Sequence, residues 1–219
     1  MSNTSQVNAS NGAFEDSAFK DGALELVGLQ DQYTARWHRE PVEVPPTLAG
    51  LERAIVGQHL ANFELWHAED SARDPGATDE TIARIKRFID VTNQRRNDLA
   101  EQCDILLLAY LGQQDLPESS AELHSESPGL MIDRLSILSL KLFHTKEEMN
   151  RADAPPGHTH LNRKRLLILT EQRDDLARAL DGLWRQVLAG QRRFKLYKQL
   201  KMYNDPALNP VVYTARSST

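Results

Sequence analysis

The 219-residue chain contains a single cysteine, Cys103, and few aromatic residues, which make up 6% of the sequence. One cysteine excludes an intrachain disulfide framework and any cysteine-rich zinc site. Because Cys103 lies in an apolar helical segment, we expect it to be a buried structural residue. No apolar run approaches the roughly 18 residues that a membrane-spanning helix needs, and the N-terminal segment lacks the regions of a signal peptide. We therefore expect a cytoplasmic protein without a membrane span.

Several signatures of known enzyme classes are also missing. There is no Gly-x-Ser-x-Gly motif for a serine nucleophile and no glycine-rich phosphate-binding loop. The formal net charge is −5, so nonspecific binding of nucleic acid by the whole surface is not expected. Hydrophobic residues at 40% and charged residues at 26% are typical of a globular domain.

Polar and proline-containing segments divide the chain into helical patterns. Residues 1–20 are rich in serine and asparagine and are expected to be disordered, and residues 214–219 are predicted to be a C-terminal tail. A short helix is predicted over about 21–39, followed by four long helices over about 47–72, 79–112, 128–151 and 160–203. Thr78 or Asp79, and the pair Ser127–Pro128, are typical of helix starts. The expected fold is an all-α antiparallel bundle of four long helices plus a short N-terminal helix, in one domain over residues 21–213.

Polar side chains fall on helix faces that should be buried. At roughly 100° per residue, the helix over 79–112 carries a polar stripe that borders apolar residues: Lys86, Asp90, Asn93, Asn97, Glu101 and Asp104. The helix over 47–72 carries a second stripe, on the side that includes Ile55: His59, Asn62, Trp66, Glu69, Asp70 and Arg73. The apolar third helix contains a further set: Asp133, Arg134, Ser136, Lys141 and His144. Because an unpaired buried charge is costly, the stripes indicate a satisfied network between helices, a solvated edge or a polar pocket that receives a ligand. We favour the pocket, which the loop over 112–127 could close.

Four segments together resemble a known bacterial family: HLANFELWHAEDSAR (59–73), KRFIDVTNQRRNDLAEQCD (86–104), SESPGLMIDRLSILSLKLFH (125–144) and KMYNDPALNP (201–210). They resemble the domain-of-unknown-function family numbered 4254, over about residues 45–213. The resemblance implies a soluble helical protein, often encoded near glycosyltransferase and lipopolysaccharide biosynthesis genes, and it implies no reaction. The family pattern picks out His59, Asn62, Trp66, Glu69, Asp70, Arg73, Lys86, Asp90, Asn93, Arg96, Asp104, Ser125, Pro128, Gly129, Asp133, Arg134, Ser136 and Asn204.

The predicted pocket is compatible with acid–base or transfer chemistry on an anionic small molecule, in a biosynthetic enzyme. A phosphorylated sugar, a nucleotide sugar or a carboxylated metabolite would fit such a pocket. The candidate catalytic residues are His59, Glu69, Asp70, Asp104, Asp133 and His144. The candidate substrate-binding residues are Asn62, Trp66, Arg73, Lys86, Asp90, Asn93, Arg96, Asn97, Ser125, Arg134 and Ser136.

A second hypothesis is metal-assisted hydrolysis. Oxygen ligands suit Mg²⁺ or Mn²⁺, and the candidate ligands are Glu69, Asp70, Glu101 and Asp104. The segment AEQCDILLLAY (100–110) is similar to the Glu-x-x-Asp helix of MazG-like nucleotide pyrophosphatases, but their preceding Glu-x-x-Glu motif is absent. A di-iron site is disfavoured because Glu64 and His67 form the one Glu-x-x-His spacing.

A third hypothesis is a non-catalytic accessory protein of a polysaccharide or secondary-metabolite pathway. A homo-oligomer is compatible with all three hypotheses.

Overall fold

The computed structural model describes residues 22–198, 200 and 207–210. In this part of the chain lie the helices α1 (Ala23–Trp37), α2 (Gly50–Ser71), α3 (Asp79–Gly112), α4 (Pro128–Met149) and α5 (His158–Leu188), with the short strands β1 (Glu122–Leu123) and β2 (Arg192–Arg193). The prediction of a mostly helical fold is confirmed. The tails predicted at 1–20 and 214–219 lie outside the described residues. None of the described helices combines the length and the apolar composition that a bilayer span requires.

The residues that were expected to start α3 and α4 do so. The hydroxyl oxygen of Thr78 accepts a hydrogen bond from the backbone N–H of Thr81 at 3.2 Å. Ser127 precedes Pro128, the first residue of α4, and its side chain accepts from the backbone N–H of Leu130 at 3.5 Å. Each hydroxyl oxygen thus accepts from a backbone N–H group of the first helical turn, which has no partner within the helix itself.

The prediction of a helix over 160–203 is wrong at its C-terminal end, because α5 stops at Leu188. The chain turns at Gly190, whose φ of 69° lies in the left-handed region that favours glycine. Strand β2 then pairs in parallel with β1, and the backbone N–H of His124 donates to the carbonyl of Arg193 at 2.8 Å. Phe194 follows in the core, only 2% exposed. Burial of this ring and the strand pairing take the place of further helical turns.

Helix α4 lies at the centre of the packing, as its apolar sequence predicts, and contacts α1, α2, α3 and α5. Helix α2 packs mainly on α3, and the two run antiparallel, since Gly57 lies beside Leu99 while Glu64 contacts Arg95. Helix α1 packs on α2, α4 and α5, so the core includes more than the four long helices. Cys103 is fully buried, as expected, and burial raises the pKa of its thiol. An antiparallel four-helix arrangement stays a prediction.

Candidate functional site

His59 lies in a buried hydrogen-bond chain that links α1, α2 and α4. Its Nε2 is 2.9 Å from the hydroxyl of Thr34, which itself donates to the carbonyl of Gln30. Because the Thr34 proton is used in that bond, Nε2 of His59 must be the donor to Thr34. Its Nδ1 therefore accepts from the hydroxyl of Ser136 at 2.7 Å. His59 is fully buried with both ring nitrogens occupied, so the predicted role as general base does not fit this geometry.

Because His59 is held neutral in the folded protein, we expect the free energy of unfolding to depend on pH in the acidic range. Burial lowers its pKa to about 3, whereas the unfolded chain has a histidine pKa of about 6.5. Between these values the unfolded chain binds the extra proton, so the stability contributed by His59 is lost as pH falls below about 6.5. We expect the advantage of the wild type over His59→Gln in the free energy of unfolding to shrink by about 2–3 kcal/mol between pH 7.5 and pH 4.5. Urea unfolding of both proteins at the two pH values measures this, and a constant difference would contradict it.

Asp133, another candidate catalytic residue, is the centre of a second buried cluster. The Arg96 guanidinium donates to both carboxylate oxygens, from Nε at 2.8 Å and from Nη2 at 2.6 Å. The side-chain amide of Asn62 donates at 3.0 Å, and that of Gln58 donates to the same oxygen. With four donors directed at it, this carboxylate holds α2, α3 and α4 together. It has little capacity left for a substrate.

Asp104 fixes the start of α4 against α3. Its carboxylate accepts from the hydroxyl of Ser127 and from the backbone N–H of Gly129, the latter at 2.7 Å. Burial raises the pKa of Asp104 to about 6, although the two hydrogen bonds act in the opposite direction and lower it. A carboxylate at a helix N-terminus is favoured by the helix dipole. This arrangement assigns Asp104 a structural contact in place of the predicted catalytic one.

A cleft of about 370 Å³ opens between α2, α3 and α4. Its lining includes seven of the predicted site residues: Asn62, Trp66, Glu69, Asp70, Arg73, Asn93 and Arg96. Leu65, Ile137 and Leu140 supply apolar wall. The indole of Trp66 is held by stacking on His144, with ring centroids 4.7 Å apart and planes at 6°. Part of the stripe on α2 and part of the stripe on α3 thus line one concave surface. A ligand-binding pocket stays a prediction.

The charges of this cleft are partly available to a ligand. Arg73 pairs with Glu69 at 2.7 Å, but their side chains are 69% and 48% exposed, and such a pair opens at little cost. The carboxylate of Asp70 has no hydrogen bond or ion pair within the described part of the chain. Arg96 is fixed by Asp133, so its position in the cleft wall is set in advance.

Six predicted substrate-binding residues lie outside the cleft lining: Lys86, Asp90, Asn97, Ser125, Arg134 and Ser136. Lys86 and Asp90 form an exposed ion pair with each other on α3. Arg134 is exposed and pairs with Glu126 at 2.9 Å, beside a separate cavity near α5. None of residues 113–127, all of which are described, lines the cleft, and β1 ties this loop to β2.

The four carboxylates predicted to hold Mg²⁺ or Mn²⁺ do not converge. Because Glu64 contacts Arg95 between antiparallel helices, Glu69 lies beyond this contact in one direction and Glu101 in the other. At 1.5 Å per residue their separation along the helix axes is about 16 Å. Asp104 lies further still and is occupied by α4. Glu69, Asp70, Glu101 and Asp104 therefore do not form the predicted metal site, because two antiparallel helices carry them to different ends of their contact.

The structure brings together one group of side chains that the sequence patterns did not. His38 directly follows α1, His67 lies on α2 and His144 on α4, and their potential ligand atoms lie within 4.8 Å of one another. Burial and the neighbouring histidines lower the pKa values of His67 and His144, which favours neutral imidazoles. Only His144 was a predicted site residue. No spacing in the sequence links three positions on separate helices.

Comparison with known proteins gives a family but no function. Residues 52–196, about two thirds of the chain, match the family model described as "Protein of unknown function (DUF4254)". No curated protein and no solved structure matches the chain. The matched range contains every residue that lines the cleft, whereas α1 and His38 precede it. The resemblance predicted from the sequence is confirmed, and the chain belongs to the DUF4254 family.

Proposed function

We propose that this protein is a biosynthetic enzyme whose cleft between α2, α3 and α4 binds a small anionic molecule that also carries hydroxyl groups. The observation that carries the proposal is the composition of this one cleft. Exposed Arg73, the uncommitted carboxylate of Asp70 and the indole of Trp66 line a volume of about 370 Å³. Sugar phosphates and nucleotide sugars combine the matching groups, and a carboxylated metabolite is the alternative ligand.

Each side chain has a role that follows from its chemistry. The guanidinium groups of Arg73 and Arg96 can donate to a phosphate or a carboxylate, and Arg96 is already held in place. The amide of Asn93 and the carboxylate of Glu69 can hydrogen-bond sugar hydroxyls. Asp70 is the candidate general base, since it can accept a proton from a bound hydroxyl. Metal-assisted pyrophosphate hydrolysis in the manner of MazG-like enzymes is less compatible, because the carboxylates it needs lie apart.

One feature favours the accessory-protein hypothesis as a second candidate. An apolar groove of about 560 Å³ runs along α2 and α3 and is lined by Val42, Phe63, Ile85 and Phe88 among others. Val42 is 44% and Phe88 46% exposed. Exposed apolar surface of this kind is typical of protein contacts. An accessory protein would use this groove and would need no ligand in the cleft.

Ligand binding distinguishes the two candidates. We expect a sugar phosphate or a nucleotide sugar, added with a chelator present, to raise the melting temperature of the wild type. Arg73→Gln should weaken binding by at least about 10-fold, the loss of one charge-assisted contact. Asp70→Asn should abolish turnover while the ligand still binds. The matched control is Arg134→Gln, which removes an exposed arginine outside the cleft.

The outcomes separate clearly. Weakened binding in Arg73→Gln with normal binding in Arg134→Gln supports the cleft as the ligand site. Equal binding by both variants, or binding of the dephosphorylated sugar with the same affinity, would contradict it. If neither the sugar phosphate nor the nucleotide sugar raises the melting temperature of the wild type, the accessory role is favoured.

A further inference from the structure

His38, His67 and His144 form a nearly equilateral triangle where α1, α2 and α4 meet. Their ring centroids are 5.3, 5.1 and 5.5 Å apart, taken pairwise. The ring planes are mutually tilted by 65–80°, so the three rings do not stack on one another. Three tilted imidazoles around a common point resemble the three protein ligands of a tetrahedral metal site.

The hydrogen bonds of two rings leave their inner nitrogens free for a metal. Nδ1 of His38 lies 2.7 Å from the backbone carbonyl of Thr34, which can only accept, so this nitrogen carries the proton. Nδ1 of His144 lies 2.8 Å from the carboxylate of Glu147 and is a donor for the same reason. In both rings Nε2 therefore bears the lone pair. Both Nε2 atoms are buried, and neither has a hydrogen-bond partner among the described residues.

The surroundings of the triangle match those of a metal centre. Histidine ligands usually donate their second ring N–H to a carbonyl or a carboxylate, as His38 and His144 do here. Phe143 stacks on His38 at 4.2 Å, and Phe63 lies edge-on to His67 at 4.5 Å, so aromatic rings pack against two of the three partly buried imidazoles. His38 also caps the C-terminus of α1, where the helix dipole favours a cation.

We propose that His38, His67 and His144 bind a divalent transition metal ion of the Zn²⁺ class. Imidazole ligands suit Zn²⁺, Ni²⁺ or Cu²⁺ and not Mg²⁺ or Ca²⁺, which require oxygen. A tetrahedral ion with bonds of 2.0–2.1 Å places its ligand atoms about 3.3 Å apart. The nitrogens lie within 4.8 Å of one another, so each pair closes by no more than about 1.5 Å on binding. Three protein ligands leave the fourth position for water or a substrate.

The site lies beside the cleft without depending on it. Trp66 lines the cleft and stacks on His144, and the charge of Asp70, another lining residue, acts on His67 and His144. A bound ion would thus add positive charge next to the place where an anion is proposed to bind. Metal binding itself needs only the three histidines.

Metal titration of the purified full-length chain, free of any histidine tag, tests the proposal. After dialysis against a chelator, Zn²⁺ is titrated by calorimetry, and Co²⁺ is added to read the visible absorption of a tetrahedral centre. We expect one ion per chain and the tetrahedral cobalt spectrum. His67→Gln and His144→Gln should each weaken binding more than about 100-fold. Glu147→Ala, a change at a side chain that is 52% exposed, should weaken it about 10–100-fold because it removes the acceptor that orients His144.

The matched control is His160→Gln, since His160 is exposed and lies outside the group. Its affinity should equal that of the wild type. Zn²⁺ binding that is unchanged in His67→Gln and His144→Gln, or the absence of binding by the wild type, would overturn the proposal. If a histidine variant loses its helical circular dichroism, Glu147→Ala decides the question: an unchanged affinity rejects the site. No sugar or phosphate ligand enters these measurements, so failure of the proposed enzyme function would leave their result unaffected.

Discussion

Replacing Asp133 with alanine is expected to lower the free energy of unfolding by about 3–5 kcal/mol, since it breaks a buried ion pair and leaves one partner behind. The Arg96 side chain is only 26% exposed and would keep its charge without a carboxylate. The amides of Gln58 and Asn62 would also lose their acceptor. Since these donors come from α2 and α3 while Asp133 belongs to α4, the loss affects contacts among three helices at once.

The neighbouring ion pair provides the control. Arg134 pairs with Glu126, but its side chain is 57% exposed, so Arg134→Ala should cost less than about 1 kcal/mol. Urea unfolding of both variants gives the comparison, with an unchanged slope as the sign that the folded state is intact. A double-mutant cycle with Arg96→Ala should show a coupling energy of about 0.5–3 kcal/mol. Equal costs for Asp133→Ala and Arg134→Ala would mean that the buried cluster does not stabilise the fold, and would return Asp133 to the list of functional candidates.

The helix boundaries show which features of the fold local sequence determines. The starts of α3 and α4 were predictable because Thr78 and Ser127 are capping residues that act within one turn. The end of α5 was missed because periodicity continues past Leu188. Gly190 turns the chain locally, with a φ of 69°, and the pairing of Arg192–Arg193 with Glu122–Leu123 from a distant loop then holds the new direction.

The polar stripes show how far helix-face reasoning reaches at the site. On α2, the polar residues from Asn62 to Asp70 that share one face line the cleft, and Arg73 follows just after the helix ends. Helix α3 has 34 residues, longer than the cleft, so its stripe divides. Lys86 and Asp90 are exposed, Asn93 lines the cleft, and Asp104 is buried under α4. A helical wheel shows which side of the helix a residue is on. It does not show which neighbouring helix packs against that side at each position along the axis.

Because helix-face patterns do not show how helices pack, they also fail to separate His59 from ligand-binding residues and to find His38 and His67. His59 satisfies the pattern for a site residue, but its partners Thr34 and Ser136 on two other helices make it a structural group. His38 satisfied no pattern, and the spacing of Glu64 and His67 did not point to this group, because the relation of both histidines to His144 exists only after the helices have packed. Local sequence predicts which faces are polar, and packing decides whether each polar group is satisfied by the protein or left open to a ligand.

Gly129→Ala is expected to lower the free energy of unfolding by about 2–3 kcal/mol, the upper range for overpacking. A Cβ at this position would overlap the backbone carbonyl oxygen of Ala100 on α3 and lie 2.9 Å from the carboxylate of Asp104. Backbone atoms cannot rotate away, so α3 and α4 must separate. The contacts of Asp104 with Ser127 and with the N–H of Gly129 would stretch at the same time.

Gly182→Ala on α5 is the matched control, because a Cβ there would meet nothing within 4 Å. That change should raise the free energy of unfolding by about 0.5–1 kcal/mol, through the helix preference of alanine over glycine. Urea unfolding of the two variants should therefore shift in opposite directions. A Gly129→Ala protein as stable as the wild type would show that α3 and α4 can move apart freely. Since Arg96 on α3 and Ile137 on α4 both line the cleft, a separation of α3 and α4 at Gly129 should also widen the proposed ligand site.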